Sequence, residues 1–232
     1  MKNRSAFTMI ELVFVIVVLG ILASLAMGRM DRDLRQEAAE TILSHIRLTQ
    51  QLALRDNKHR PFNTATDNQW QRAYWRIQFS NCSTDGLMPI YNIASDRDLS
   101  KTIIKEETAI DPTTGKYLYA TCNQAFQAND TSEKILIGKK FGVKEVKLRG
   151  CGIAQGTSTA KQIAFDYLGR PFRGITANDV STFNKKVKTD CKVDVFMLTD
   201  INNDGTVDDN DYFRIIVKAE TGHAYIEGQE AL

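Results

Sequence analysis

Hydrophobic positions divide the chain into three regimes. Residues 7–27 are apolar almost throughout, and Glu11 is the one charge among them. At the α-helical rise this run spans ~31 Å, close to the hydrocarbon thickness of a bilayer. Beyond it, apolar residues continue at helical spacing: Met30, Leu34, Ala38, Ile42 and Ile46 form a stripe that Ala39, Leu43, Leu52 and Ala53 widen. Arg29, Asp31, Arg32, Arg35, Glu37, Glu40 and Arg47 fill the other face. That pattern is an amphipathic helix. No proline precedes Pro61, so one helix over about residues 7–56 is predicted. Its first half is apolar all round; its second half needs a folded partner along one face. Gly20 and Gly28 interrupt it, each at ~1 kcal/mol against alanine. They read equally as points where the helix loosens or as small-residue contacts at a helix interface.

After Pro61 the period changes to short runs separated by turn chemistry. Strands are predicted at 74–79, 87–91, 103–104, 117–119, 135–137, 143–148, 162–167, 193–199, 212–218 and 223–227. Asp85-Gly86 and Asp111-Pro112-Thr113-Thr114-Gly115 mark turns, and polar stretches at 123–131 and 173–184 read as loops. One long helix followed by many short strands predicts an α+β fold, with an antiparallel head packed on the amphipathic half of the helix.

Charge and composition add a direction. A hydrophobic content of 43% and a charged content of 25% suit a folded protein. The net charge of +2 includes Lys2 and Arg4; without them acidic and basic side chains balance, so no global field draws the chain to nucleic acid. Lys2 and Arg4 also mark the cytoplasmic end of the apolar run, which sends the rest outward. All four cysteines, Cys82, Cys122, Cys151 and Cys191, then lie in an oxidising compartment, where disulfides persist. Their wide spacing fits no zinc site. Two disulfides are expected, most simply Cys82–Cys122 and Cys151–Cys191, although three pairings are open.

The leader Met1-Lys2-Asn3-Arg4-Ser5-Ala6, then Phe7, Glu11 and a helix that continues past the apolar run, together resemble the N-terminus of type IV pilins and the pseudopilins of type II secretion. The resemblance implies cleavage by a prepilin peptidase between Ala6 and Phe7, with N-methylation of Phe7. It places Glu11 fifth in the mature chain, where the family has its assembly glutamate. Ala6 departs from the family's usual glycine before the cut, and Gly28 stands where pilins usually carry proline. The helix end at 42–57, the segment 163–172 and the closing hairpin at 213–226 look most like the H-type minor pseudopilins and related minor pilins. The implied organisation is a leader at 1–6, a transmembrane and fibre-core helix at 7–27, an amphipathic stem at 28–57 and a β-rich periplasmic head at 58–232. The implied setting is the bacterial inner membrane, with a single span in lipid before assembly into a periplasmic or surface fibre. Its partners are then other pilin or pseudopilin subunits, the prepilin peptidase and the inner-membrane assembly platform.

A second motif lies in the head. Residues 200–211 place oxygen side chains where a hard cation such as Ca²⁺ takes them, with Gly205 at the sharp turn. Asp200, Asn202 and Asp204 would ligate directly, Thr206 through its carbonyl, Asp208 directly or through water, and Asp211 from the far end. An aspartate in the last position resembles the calcium loops of dockerins. Structural calcium is therefore the expected cofactor, bracing a hairpin.

No nucleophile elbow, phosphate-cradling loop or cysteine–histidine zinc spacing is present, and His45, His59 and His223 are scattered. The expectation is a structural subunit and not an enzyme. The alternative is a tip or DNA-uptake minor pilin that binds DNA or another ligand through its head. The basic clusters Lys185, Lys186, Lys188 and Lys139, Lys140, Lys144, Lys147, Arg149 would carry that function.

Overall fold

The computed structural model describes residues 9–59, 67–82, 89–122, 129–151, 161–175, 183–200 and 206–229. Helix α1 (Met9–Arg55) runs without a break across Gly20 and Gly28. Ala38, Ala39, Ile42, Ile46 and Ala53 are buried along one face, as the stripe predicts, with Leu43, Leu48 and Leu52 packed beside them.

Beneath that face lie two four-stranded antiparallel sheets. The first has β1 (Trp75–Ser80), β2 (Ile90–Ala94), β4 (Gln162–Phe165) and β5 (Pro171–Arg173) in the order β2-β1-β4-β5. The second has β3 (Val143–Arg149), β6 (Cys191–Met197), β7 (Tyr212–Val217) and β8 (Ala224–Ile226) in the order β3-β6-β7-β8. Alternation assigns the faces. In the first sheet Ile77 pairs with Ile93 and Ile163; in the second Val193 pairs with Ile215, which pairs with Ile226. All six side chains join one core under α1. Ala164 and Phe172 point to the opposite face of the first sheet. There they pack with Trp70 and Tyr74 from the 3-10 turn Asp67–Ala73 and its end, and with Ile175, in a second small core. The α+β architecture is therefore as expected.

Three local readings are corrected. The run Ile135-Leu136-Ile137 is not a strand: it passes from a 3-10 turn, Glu133–Ile135, into the short helix α2 (Ile137–Phe141), which Gly142 ends at φ 71°. A brief apolar run carries no period by which strand and helix can be told apart. The segments around Ile103 and Tyr117 form no ladder; isolated bridges such as Ile110↔Tyr117 and Tyr117↔Thr131 tie this part together. Strand β5 lies where no strand was predicted, and its last residue is the first of the loop expected at 173–184. The Asp111 turn is present: Gly115 donates to the Asp111 carbonyl at 2.9 Å. The Asp111 carboxylate is buried, which alone would raise its pKa. Hydrogen bonds from Thr113, Ser132 and Thr114 outweigh that and hold it well below the ordinary carboxylate range.

Both expected disulfides form, Cys82–Cys122 and Cys151–Cys191. The second closes the end of the β3–β6 ladder just beyond the Arg149↔Lys192 pair.

Candidate functional site

Residues 9–22 of α1 stand clear of the head. Every side chain from residue 9 to residue 22 is exposed; Met9 is 83% and Phe14 70% accessible. Among the described residues no helix is long and apolar enough to cross a membrane; positions 9–22 alone span ~21 Å at the helical rise. A contiguous apolar surface of this kind marks an interaction site with lipid or protein. Burying each large side chain on it would contribute ~1.5–3 kcal/mol. Glu11 sits in the first turn of α1, on this apolar segment. A Cβ added at Gly20 meets nothing within 4 Å, so no close packing constrains that position within a single chain. The predicted cleavage pair, Ala6 and Phe7, lies outside the described residues.

The second half of α1 is fastened to the head by polar side chains. Lys140 of α2 pairs with Glu37 at 3.1 Å. His45 is buried and its Nδ1 lies 2.5 Å from the Tyr91 hydroxyl; burial lowers its pKa to about 4. Arg47 donates through Nη2 to the Ala224 carbonyl of β8 at 2.8 Å. Gln50 Nε2 donates to two carbonyls, Gly169 at 2.9 Å and Thr221 at 2.8 Å. Gly169 lies in the β4–β5 turn and Thr221 in the β7–β8 turn, so one amide links a turn from each sheet to the stem. The turns are crowded there: Gly222 has φ +69°, and a Cβ on it would lie 2.1 Å from the Gly169 carbonyl oxygen. The strand patterns gave no hint of this junction.

The outward face of the second sheet carries a buried carboxylate. Asp194 has no exposed side-chain surface and accepts from Arg214 Nε at 2.5 Å, with Arg149 Nε at 2.9 Å. Its sequence signal was available, since it is an acid flanked by Val193 and Val195. Much of the basic character noted in the sequence is consumed in this way. Lys147 pairs with Glu145 at 3.3 Å and lies over the Phe196 ring, and Lys186 pairs with Glu220 at 3.3 Å. Lys185 donates to the Gly174 carbonyl at 3.1 Å. Lys139, Lys144 and Lys188 are exposed. The histidines have ring neighbours: His59 is edge-on to Trp70 and His223 stacks on Tyr225.

Of the expected calcium ligands, Asp200, Thr206, Asp208 and Asp211 are described, and Asn202 and Asp204 lie outside the described residues. Asp211 is buried at the start of β7, and its Oδ2 accepts the Asp208 N–H at 2.8 Å. Asp208 in turn accepts from the Asn210 N–H at 2.7 Å. The far end of the loop is thus drawn together by its own carboxylates.

Comparison with known proteins bears on the N-terminus. Residues 1–27 match the family described as the prokaryotic N-terminal methylation motif. The chain carries a prepilin-type methylation motif. That motif supports a precursor of the type IV pilin or pseudopilin kind, processed by a prepilin peptidase and assembled with other pilins. It spans the leader, Glu11 and the exposed apolar segment together. No curated protein and no solved structure matches the chain.

Proposed function

We propose that the protein is a structural minor pilin or pseudopilin subunit, most like the H-type minor pseudopilins, of a type II secretion or type IV pilus machine. The observation that carries this reading is the methylation motif on a helix whose apolar half is exposed. Before assembly, residues 7–27 hold the chain in the bacterial inner membrane with the head in the periplasm. Prepilin peptidase cuts between Ala6 and Phe7 and methylates the new amine. The assembly platform then moves the stem into a fibre, where apolar stems bury one another and the heads form the surface.

In that fibre Glu11 pairs with the Phe7 amine of a neighbouring subunit. Each charge offsets the cost of placing the other among apolar side chains, and removing one partner of such a pair costs ~3–5 kcal/mol. Glu11→Ala is therefore expected to reach the membrane at normal levels but to be depleted from sheared or cross-linked fibres. Wild-type incorporation of this variant would exclude the role. The mass of the mature N-terminus tests the cut: it should begin at a methylated Phe7.

The loop at 200–211 is assigned to structural calcium, with Asp200, Asn202, Asp204, Thr206, Asp208 and Asp211 as its ligands. The four carboxylates among these ligands would repel one another if brought to one point without a cation between them. Chelator should lower the melting temperature of the wild type by more than that of an Asp200→Ala/Asp208→Ala double variant. An identical melt with and without millimolar Ca²⁺ would remove the assignment. The pairing of Arg149, Lys147 and Lys186 with acidic neighbours leaves the DNA-binding alternative less support than the structural role.

A further inference from the structure

Residues 96–107, which follow β2, close around three carboxylates. Asp96, Asp98 and Glu107 each offer an oxygen, and these oxygens lie within 4.8 Å of one another. They stand first, third and twelfth in a twelve-residue segment. A calcium loop of the EF-hand kind takes carboxylates at those places, with glutamate at the twelfth. The fifth to eighth positions are compatible, whereas the ninth, Ile104, offers no side-chain oxygen. Ser100 is fifth and Thr102 seventh, and Ser100 Oγ lies 3.0 Å from the Thr102 carbonyl oxygen. Sixth is Lys101, which adopts φ 78°, the left-handed turn for which such loops use glycine. Apolar Ile103 is eighth.

The observation that points to a ligand is separate from this spacing. Asp96 is 1% exposed. Its Oδ2 is engaged by Arg72 Nη2 at 2.6 Å, whereas its buried Oδ1 has no hydrogen-bond partner. A buried carboxylate oxygen with no donor is rare in folded proteins and calls for an ion or water. Glu107 Oε1 accepts the N–H groups of Arg97 at 2.7 Å and Asp98 at 3.3 Å, and its Oε2 accepts that of Ile104 at 3.4 Å, which leaves Oε2 a second lone pair to give. Asp98 is exposed and its Oδ1 accepts the Ser100 N–H at 2.9 Å. Arg72 pairs with Asp96, and Arg76 feels the charges of Asp96 and Glu107; Arg97 and Lys101 belong to the segment itself.

We propose that residues 96–107 form a second divalent-cation site of the calcium class. Asp96 Oδ1, Asp98 and Glu107 are its carboxylate ligands, and Ser100 Oγ and the Thr102 carbonyl are the next oxygens of the shell. The two guanidinium groups place it at the weak end of the calcium range, ~0.1–1 mM, where extracellular modules operate. The site belongs to the head alone and does not depend on how the stem is processed or on the loop at 200–211.

The test is equilibrium dialysis of the full chain in detergent against about 2 mM labelled Ca²⁺, above that range. Wild type is compared with Asp98→Ala, Glu107→Gln and the Asp200→Ala/Asp208→Ala double variant. The expected result is that Asp98→Ala and Glu107→Gln each lose one bound calcium per chain, whereas the double variant retains this one. Asp98 is exposed, so its variant keeps the test valid should Glu107→Gln fail to fold. Binding by Asp98→Ala equal in number and affinity to wild type would overturn the site, as would a double variant that binds no calcium at all.

Discussion

His45 is the residue through which pH acts most directly on the fold. In the folded chain it is buried against Tyr91 and its pKa falls to about 4, the loss of hydration being the main cause. In the unfolded chain it returns to ~6.5. Between these values the unfolded state binds the extra proton, so stability is complete above about pH 6.5 and falls as the pH drops toward 4. The span of the shift corresponds to roughly 3 kcal/mol. Asp111, held below the ordinary carboxylate range, adds a loss only at still lower pH. Urea melts at pH 7 and pH 4.5 should show the difference, and His45→Gln should flatten it. An equal pH slope in wild type and variant would mean that another group carries the effect. His45 was legible in the sequence only as a position on a helix; nothing there pairs it with Tyr91, because the contact joins residues from different elements.

At the scale of elements, the stem and head are held together where two turns meet one helix. Gly222 is bound to its residue type twice over, by φ +69° and by the Gly169 carbonyl at the place of a Cβ. Alanine there incurs the left-handed penalty of ~1–2 kcal/mol and forces the turns apart. Gly228 has φ +84° but open space around it, so alanine at that site incurs the first term alone. Thermal melts should therefore place Gly222→Ala well below Gly228→Ala; equal losses would show that the two turns separate freely. The helix was legible because its stripe persists for many turns, and most strands because aromatic and β-branched residues alternate between turn signals. The junction was not. Gln50 reads as an ordinary polar residue near a helix end, and its two acceptors are backbone carbonyls with no sequence signature. α2 and β5 were missed because three- to five-residue elements carry too few positions to define a period.

For the whole molecule, the buried face of α1 and both sheets share one core, and two disulfides cross-link distant segments of the head. The two disulfides each close a separation of 40 residues. In the chain-entropy account each such link stabilises by ~4 kcal/mol. That is a large share of the ~5–15 kcal/mol typical of a domain. Replacing Cys151 and Cys191 together by serine is expected to lower stability by ~3–4 kcal/mol in denaturant titrations, with a similar loss for Cys82 and Cys122. A variant unchanged within ~0.5 kcal/mol would mean that the core alone suffices. The pairing itself was one of three that the sequence allowed. The candidate sites were legible unevenly: the N-terminus announces itself by composition, whereas the carboxylates of residues 96–107 are noticed once folding brings the first and last together.

The two sheets share no strand, yet Gln50 grips a turn from each, and Arg47 holds the carbonyl of Ala224 in β8 one helical turn away. A tug on the stem therefore does not peel one sheet from the other. It is shared between both turns through Gln50. A pull along the stem is thus met at this junction by both sheets at once, whereas the exposed positions 9–22 share none of that hold.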